Sequence, residues 1–568
     1  MLGKVEGIPL VVQRHPHARR TRRTSWVVAI ALMLLVPVFW FASPAPSAPA
    51  PIPMNAPLST NQIPLGVGTN YSTYLDEPAR TNDVGDQGPF NASNIHELRV
   101  LWQFTTGAAV LAQSIVVNGI VYVGSSDGYE YALYATNGTL AWKTFLGISD
   151  TDTKCKQSLG VTSTATYSRG LIYVSDTPDF YALNASTGAI AWNLTVSGTN
   201  TQGFYLWASP LIYDDSVYVG LSSQCDHPLV SAGLARVSLL THEEIAYFNT
   251  SVPDANGSSI WGSPALSLSE NSVLIATGNA YRTDISNYSN SIVELNAVNL
   301  SMEHTWQVPL DEITLDGDFG ITPTVFNLSN GVGVVAGENK DGYLYELYQS
   351  NLTQVWQDHI ANMTGDHFSA AFGDGTLYAV ANAVTIGTHK YKSTISAVNP
   401  DNGAYLWRVG TNLPLTYEYA APLVDGNLLI VPVESTLYVL NRTTGAILFQ
   451  RAMGGIMTPS ASLSRGEIFI GLGDSVEALG LALHVTTTHL PKSGAAPLTV
   501  AFTSAPTGGV APYSYNWSFG DGTYSSIADP SHVFSSSGSF EVNLTVTDLT
   551  GAVATTSFSI AVSSPRRP

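Results

Sequence analysis

Residues 121–144 read VYVGSSDGYEYALYATNGTLAWKT, and residues 172–194 read IYVSDTPDFYALNASTGAIAWNL. Each runs from an apolar strand through a Gly or Asp turn to a "YAL" strand. An Asn/Thr-Gly turn follows, then a strand carrying Trp. The same grammar continues, with drift, to about residue 480. Four short strands per unit and a period of roughly 40–50 residues are the signature of a β-propeller blade. A ring of such blades puts any active site on its central axis.

The terminal aromatic positions of the units are Trp142, Trp192, Phe248, Trp306, Trp356, Trp407 and Phe449. After Phe449 comes a further unit that lacks its last strand. The missing strand stands at the other end, where LRVLWQFT (98–105) carries Trp102 with no blade before it. The chain therefore predicts an all-β fold, an eight-bladed propeller over 71–484. The N-terminal strand closes the ring and removes exposed sheet edges. Seven blades is the alternative.

The chain has 568 residues, with 45% hydrophobic, 10% aromatic and only 12% charged residues, and a net charge of -19. Phosphate recognition needs clustered Lys and Arg, so a nucleic-acid partner is excluded. A surface solvated by hydroxyls and amides changes little in acid, which predicts an acidic external habitat. Cys155 and Cys225 are too few for a disulfide framework, and no C-x-x-C-H attaches a haem.

Basic residues Arg14, Arg19, Arg20, Arg22 and Arg23 (within 1–25) precede an apolar run over 26–42 and a Pro-rich linker over 43–70. This is an export signature, as a cleaved signal peptide or an uncleaved membrane anchor. Fifteen N-x-S/T sequons suit an extracellular or cell-surface glycoprotein. Asn137, Asn184, Asn193, Asn249, Asn256, Asn299 and Asn351 are the main glycan candidates. The competing reading is turn chemistry, because Asn-Gly-Thr and Asn-Ala-Ser are also blade turns. Either way these residues are expected on exposed loops.

Over 485–563 the grammar changes. YNWSFGDGTYSS (515–526), SHVF (531–534) and GSFEVNLTVTD (538–548) resemble a PKD domain, an immunoglobulin-like β-sandwich, with 564–568 as a tail. Trp517 should fill its core, and Gly520 and Gly522 should supply positive-φ turn positions. Such domains are spacers or adhesion modules.

The blade sequence itself resembles the PQQ-binding-like (quinoprotein) propeller family over about residues 71–483. SSIWGSPAL (258–266), LIATGNAY (274–281), LDGDFGITP (315–323) and ENKDGYLYEL (338–347) carry the resemblance. That family holds quinoprotein alcohol dehydrogenases and also cofactor-free assembly scaffolds. The resemblance implies PQQ and calcium (Ca2+) as cofactors. PQQ is a flat acidic quinone that needs an aromatic face, a cation at its reactive carbonyl and a nearby base. Trp261 matches the stacking residue, Asn279 the amide ligand to calcium, Asp318 the base and a metal ligand, and Lys340 the cation beside the quinone. Asp316 competes with Asp318 as base.

Two family features are altered. A vicinal cysteine pair is reduced to Cys155, and the calcium-binding Glu is replaced around Cys225, with Asp226 as a substitute ligand. The two positions imply a Cys155–Cys225 disulfide at the mouth of the site. Other constellations are weaker. His242-Glu243-Glu244 reads as a solvated turn, His359 and His367 as loop residues, and GDGT at 373–376 as a turn.

The altered elements favour a non-catalytic surface protein that binds envelope proteins or glycans through its propeller and PKD faces. The alternative is a PQQ- and calcium-dependent alcohol or sugar dehydrogenase. In that reading electrons leave to a separate acceptor.

Overall fold

The computed structural model describes residues 70–565, apart from 87, 150–158, 177–178, 197–202, 225–228, 252–256, 280–287, 310–316, 362–368 and 414–419. The export segment, most of the linker, Cys155, Cys225, Asp226, Asn256, Asp316 and His367 therefore lie outside the described residues. Among the described residues no helix is long and apolar enough to cross a membrane.

Eight antiparallel sheets of the propeller type form among the described residues, and in seven of them four strands pair in sequence order from the axis outward. In the first, Ile115–Val117, Ile120–Gly124, Tyr129–Tyr134 and Leu140–Phe145 pair in turn. The third sheet carries one extra short strand, Phe204–Tyr205. In the eighth, Ser462–Ser464, Glu467–Leu472 and Ser475–Gly480 are completed by Arg99–Thr105 from the other end of the chain. Trp102 faces Ala478 in that closure. The middle strands are buried on both faces, so they read as apolar runs such as Leu428–Val433. The outer strands alternate exposed and half-buried residues, as in Ile190–Thr195.

The repeated Trp and the repeated Gly meet between blades. Trp142 donates its indole N–H to Ala185 O at 2.9 Å, and Trp407 donates to Arg442 O at 2.8 Å. Each ring lies on the turn glycine of the next blade. A β-carbon at Gly188 would fall 2.5 Å from Trp142 Cε3, and one at Gly445 would fall 2.7 Å from Trp407 Cδ2. Both glycines hold positive φ, +72° and +70°. Gly188→Ala is therefore expected to lower stability by about 1–3 kcal/mol, through backbone strain and a displaced indole. A shift of the denaturant midpoint measures it. In the third blade His242 takes the glycine position at φ 61°, and Trp192 stacks on it at 4.6 Å.

A second feature circles the axis. Just before six of the eight inner strands, one backbone N–H donates to a hydroxyl of the next blade. Gln113 donates to Thr164 at 2.9 Å, Thr164 to Ser209 at 3.0 Å and Ser209 to Ser263 at 2.9 Å. Ser263 donates to Thr322 at 2.8 Å, Thr322 to Ser369 at 3.0 Å, and Ala421 to Ser460 at 2.7 Å. Buried N–H groups that no sheet can pair are satisfied in this way.

Residues 71–84 form a strap across the inner strands, three residues beyond this belt. Tyr71 pairs with Val116; Ser72 O accepts from Tyr167 N and Pro78 O from Leu266 N. Ala79 O accepts from Val325 N, Thr81 O from Phe372 N, and Asn82 O from Val424 N. The strap thus closes one end of the axis. Leu75, Asp76, Arg80 and Asn82 all take positive φ along it.

The PKD domain is a sandwich of three- and five-stranded sheets. Trp517 is fully buried with Phe502, Phe534 and Leu544, and Gly520 and Gly522 have φ of +80° and +89°. It sits against the eighth blade, where Gly509 N donates to Leu481 O at 3.1 Å and Arg465 donates to Leu549 O at 3.3 Å.

Three expectations change. His359 ends the outer strand Gln354–His359 rather than lying in a loop, because it pairs with Tyr343. Asn193 and Asn249 are exposed residues of outer strands, not of loops. The turn sequons follow turn chemistry: Asn137 Oδ1 accepts from Thr139 N at 3.0 Å and Thr139 Oγ1 at 2.7 Å. Asn184, Asn299 and Asn351 make the same Asx turns.

Candidate active site on the propeller axis

The site is built from residues just above the hydroxyl belt, on its far side from the strap. Asp318 precedes the inner strand Thr324–Asn327 and is fully buried. Lys340 lies in the turn after Gly333–Glu338 of the same blade. Its backbone N–H donates to Asp318 O at 3.0 Å, which fixes the turn against the approach to the strand. Its ammonium then reaches the Asp318 carboxylate at 3.0 Å (Oδ1) and 3.2 Å (Oδ2). The Lys340 side chain is 10% exposed and that of Asp318 0%, so this is a buried ion pair. Such a pair stands only when both charges are held together.

The fourth blade brings the next two residues alongside. Phe319 N donates to Thr277 O at 3.3 Å, Gly278 N to Ser259 O at 2.8 Å, and Ser258 N to Asn279 O at 2.8 Å. Gly278 has no room for a side chain, because a β-carbon there would fall 3.0 Å from Trp261 Nε1. Asn279 and Trp261 are therefore neighbours through that glycine. Among the described residues, Asn279 Oδ1 and Trp261 Nε1 are buried and have no hydrogen-bond partner. Asp318, Lys340, Asn279 and Trp261 thus belong to adjoining blades, joined by direct backbone bonds.

Trp207 of the third blade was not singled out by sequence. Its ring lies 6.1 Å from that of Trp261, and its own Nε1 is buried without a partner. Tyr205 packs on it at 4.8 Å. The signal was present: WASP (207–210) and WGSP (261–264) are the same phrase, each placing Trp two residues before a belt serine.

The arrangement offers two aromatic walls, an unpaired amide oxygen, unpaired indole N–H groups and a buried acid–base pair. Orphaned buried polar atoms are costly unless a ligand completes them. The fit to a planar quinone rests on these atoms. For a cation, the described donors are Asn279 Oδ1 and Asp318, and no group of three or more His, Cys, Asp or Glu forms among the described residues.

Residues 84–220 and 391–479 match the family model described as outer membrane protein assembly factor BamB, and residues 484–562 match the PKD domain model. The propeller repeats and the C-terminal sandwich are thus each matched by a family model. It is 20% identical over 491 residues to polyvinylalcohol dehydrogenase of Sphingopyxis sp., covering 75% of this chain and 74% of that protein. Quinoprotein alcohol dehydrogenase PedH of Pseudomonas putida is 25% identical over 153 residues, a quarter of each chain (25% and 25%). Tetrathionate hydrolase of Acidithiobacillus ferrooxidans is 27% identical over 138 residues, 24% of this chain and 26% of that one. Among solved structures, a europium-containing methanol dehydrogenase superposes with a TM-score of 0.62 at 14% identity, covering 72% of this chain and 98% of that one. The quinohemoprotein alcohol dehydrogenase of Comamonas testosteroni gives 0.59 at 15% identity, covering 72% and 80%. These superpositions establish the shared fold.

Proposed function

We propose that the axial site holds a quinone cofactor and oxidises an alcohol-bearing substrate outside the cytoplasm. The observation that carries this reading is the buried Asp318–Lys340 pair in the blade next to Trp261 and Asn279, where Trp261 Nε1 and Asn279 Oδ1 have no hydrogen-bond partner among the described residues. Relatives named as alcohol dehydrogenases support it.

Pyrroloquinoline quinone, when bound, supplies the two-electron acceptor for hydride from the alcohol carbon. Trp261, with Trp207 as a second wall, offers the face for its plane. Asn279 Oδ1 and Asp318 are the described oxygens that would hold calcium, with Asp226 outside the described residues. Lys340 places a positive charge where an oxygen gains negative charge. Asp318 accepts the hydroxyl proton, and Lys340 keeps its carboxylate ionised and oriented for that step. The bulky walls exclude water from the reacting carbon.

No haem-attachment motif occurs in the sequence, so the electrons pass to a separate acceptor. The strap closes one end of the axis, so substrate and acceptor meet the site from the opposite face. The export segment, exposed sequons and PKD domain suit a protein held at the cell surface, with the PKD domain and propeller faces contacting envelope proteins or glycans. The Cys155–Cys225 bridge belongs to this reading as a tie across the mouth.

The likeness to tetrathionate hydrolase favours a second reading, in which Asp318 activates water and no quinone binds. Dye-coupled oxidation of polyvinyl alcohol and short alcohols, run beside tetrathionate hydrolysis on the same quinone-loaded sample, separates the two. Oxidation without hydrolysis is expected. Hydrolysis that is indifferent to quinone contradicts the dehydrogenase reading.

A further inference from the structure

Arg80 lies on the strap and is fully buried, with φ at 66°. Its Nε donates to Pro264 O at 3.0 Å and its Nη2 to Pro210 O at 3.4 Å. Its Nη1 donates to Thr73 Oγ1 at 3.0 Å and to Tyr74 O at 2.5 Å. The guanidinium also lies 5.8 Å from the Tyr74 ring centroid. Every one of these partners is neutral. Among the described residues no carboxylate forms an ion pair with Arg80.

A buried charge without a counter-ion is expensive, and four neutral acceptors offset only part of that cost. A floor tie between blades could be made by an uncharged side chain. The charge itself therefore calls for a reason. Burial lowers the guanidinium pKa to about 10, which leaves it charged at any physiological pH. Glu77 is the carboxylate whose charge acts on Arg80, without forming an ion pair among the described residues. Glu77 is half-buried and takes the Thr81 hydroxyl, and burial pushes Asp76 up to about 7.

Pro210 and Pro264 each follow a site tryptophan, Trp207 and Trp261, by three residues. Arg80 thus stands beneath the two aromatic walls, on the closed side of the belt. We propose that Arg80 makes the axial site selective for an anion, acting as a fixed positive charge under its floor rather than as a contact residue. At an effective dielectric near 20, a charge 10 Å away changes affinity by roughly tenfold per unit of ligand charge. This rests on the axis being a ligand site, and holds equally for an acidic quinone or an oxyanion substrate.

The test is calorimetric titration of the full chain with a flat series: 2-naphthamide, 2-naphthoate and 2,6-naphthalenedicarboxylate. Pyrroloquinoline quinone and tetrathionate form separate arms. Wild-type affinity is expected to rise roughly tenfold with each negative charge. Arg80→Met should flatten that ladder and leave the neutral amide unchanged, and Arg80→Lys should keep most of it. A wild-type ladder that is flat or absent overturns the proposal, as does an equal loss for amide and anion in Arg80→Met. If Arg80→Met fails to fold, the wild-type ladder and its steepness in Arg80→Lys still decide. A steep ladder with no alcohol oxidation would remove the dehydrogenase reading and leave this one standing.

Discussion

Asp318→Asn will reduce alcohol oxidation by the quinone-loaded protein by roughly 10²–10⁴-fold, the range for losing a positioned general base. Asparagine keeps the shape and one acceptor oxygen but cannot take the proton. The same change leaves the Lys340 ammonium, with a side chain only 10% exposed, without its carboxylate. Breaking a buried pair from one side costs about 3–5 kcal/mol. Activity and stability would therefore fall together, and either alone would mislead. The double variant Asp318→Asn, Lys340→Met removes both charges and should regain most of the stability while staying inactive. Unfolding midpoints with single-turnover rates measure both quantities. An Asp318→Asn enzyme that turns over at wild-type rate would remove Asp318 from the chemistry.

The second large effect concerns pH. Glu130 and Glu346 are fully buried, and among the described residues their carboxyl oxygens make no geometrically good hydrogen bond. The indole N–H of Trp356, across the ladder from Glu346, is given to Pro400 O at 2.7 Å. Glu467, at the joint with the PKD domain, leaves Oε2 unpartnered beside a cavity of about 100 Å³. Burial pushes Glu346 and Glu467 up to about 8 and Glu130 well above its ordinary 4.5. Asp76 is pushed up to about 7 by the same cause.

The folded state therefore prefers the neutral acid at each position. These groups contribute full stability below about pH 4, where the unfolded chain is also protonated. That contribution is lost as pH rises through the folded values near 7 and 8. A displacement from 4.5 to about 8 corresponds to a ceiling of roughly 5 kcal/mol per group. The denaturant midpoint should thus fall from pH 4 to pH 9, the reverse of proteins stabilised by ionised carboxylates. Glu346→Gln and Glu130→Gln should flatten the decline. This agrees with the sparse charge of the chain, 12% of its residues. Unfolding below about pH 4, or a midpoint that climbs with pH, would contradict it.

The blades were legible because most of them repeat two residues with strict demands. The outer Trp needs a carbonyl and a flat turn to rest on, and the turn needs a Gly at positive φ. Even the ring closure could be read, since Trp102 is a docking tryptophan with no blade in front of it. The strap was not legible. Residues 71–84 have no periodicity, and their positive-φ positions are Leu75, Asp76, Arg80 and Asn82 rather than glycines. Their conformation is imposed by carbonyls and N–H groups of six different blades, none of them local in sequence.

At the site, Asp318, Lys340, Asn279 and Trp261 were found through resemblance, and the structure brings them to adjoining blades. Trp207 carries the same Trp-x-Ser-Pro phrase as Trp261, and that repetition within the sequence is the signal that marks it. The sequons show an error of emphasis. Asn137 and Asn184 satisfy turn hydrogen bonds whether or not a glycan is attached.

Equilibrium dialysis of the metal-stripped, full-length protein with pyrroloquinoline quinone and calcium tests most directly whether the axis holds a quinone against Trp261 and Lys340. The account predicts one quinone per chain, quenched indole fluorescence, and at least tenfold weaker uptake by Lys340→Met, the cost of one lost charge contact. No retained quinone at millimolar calcium, or equal uptake by Lys340→Met, would contradict it.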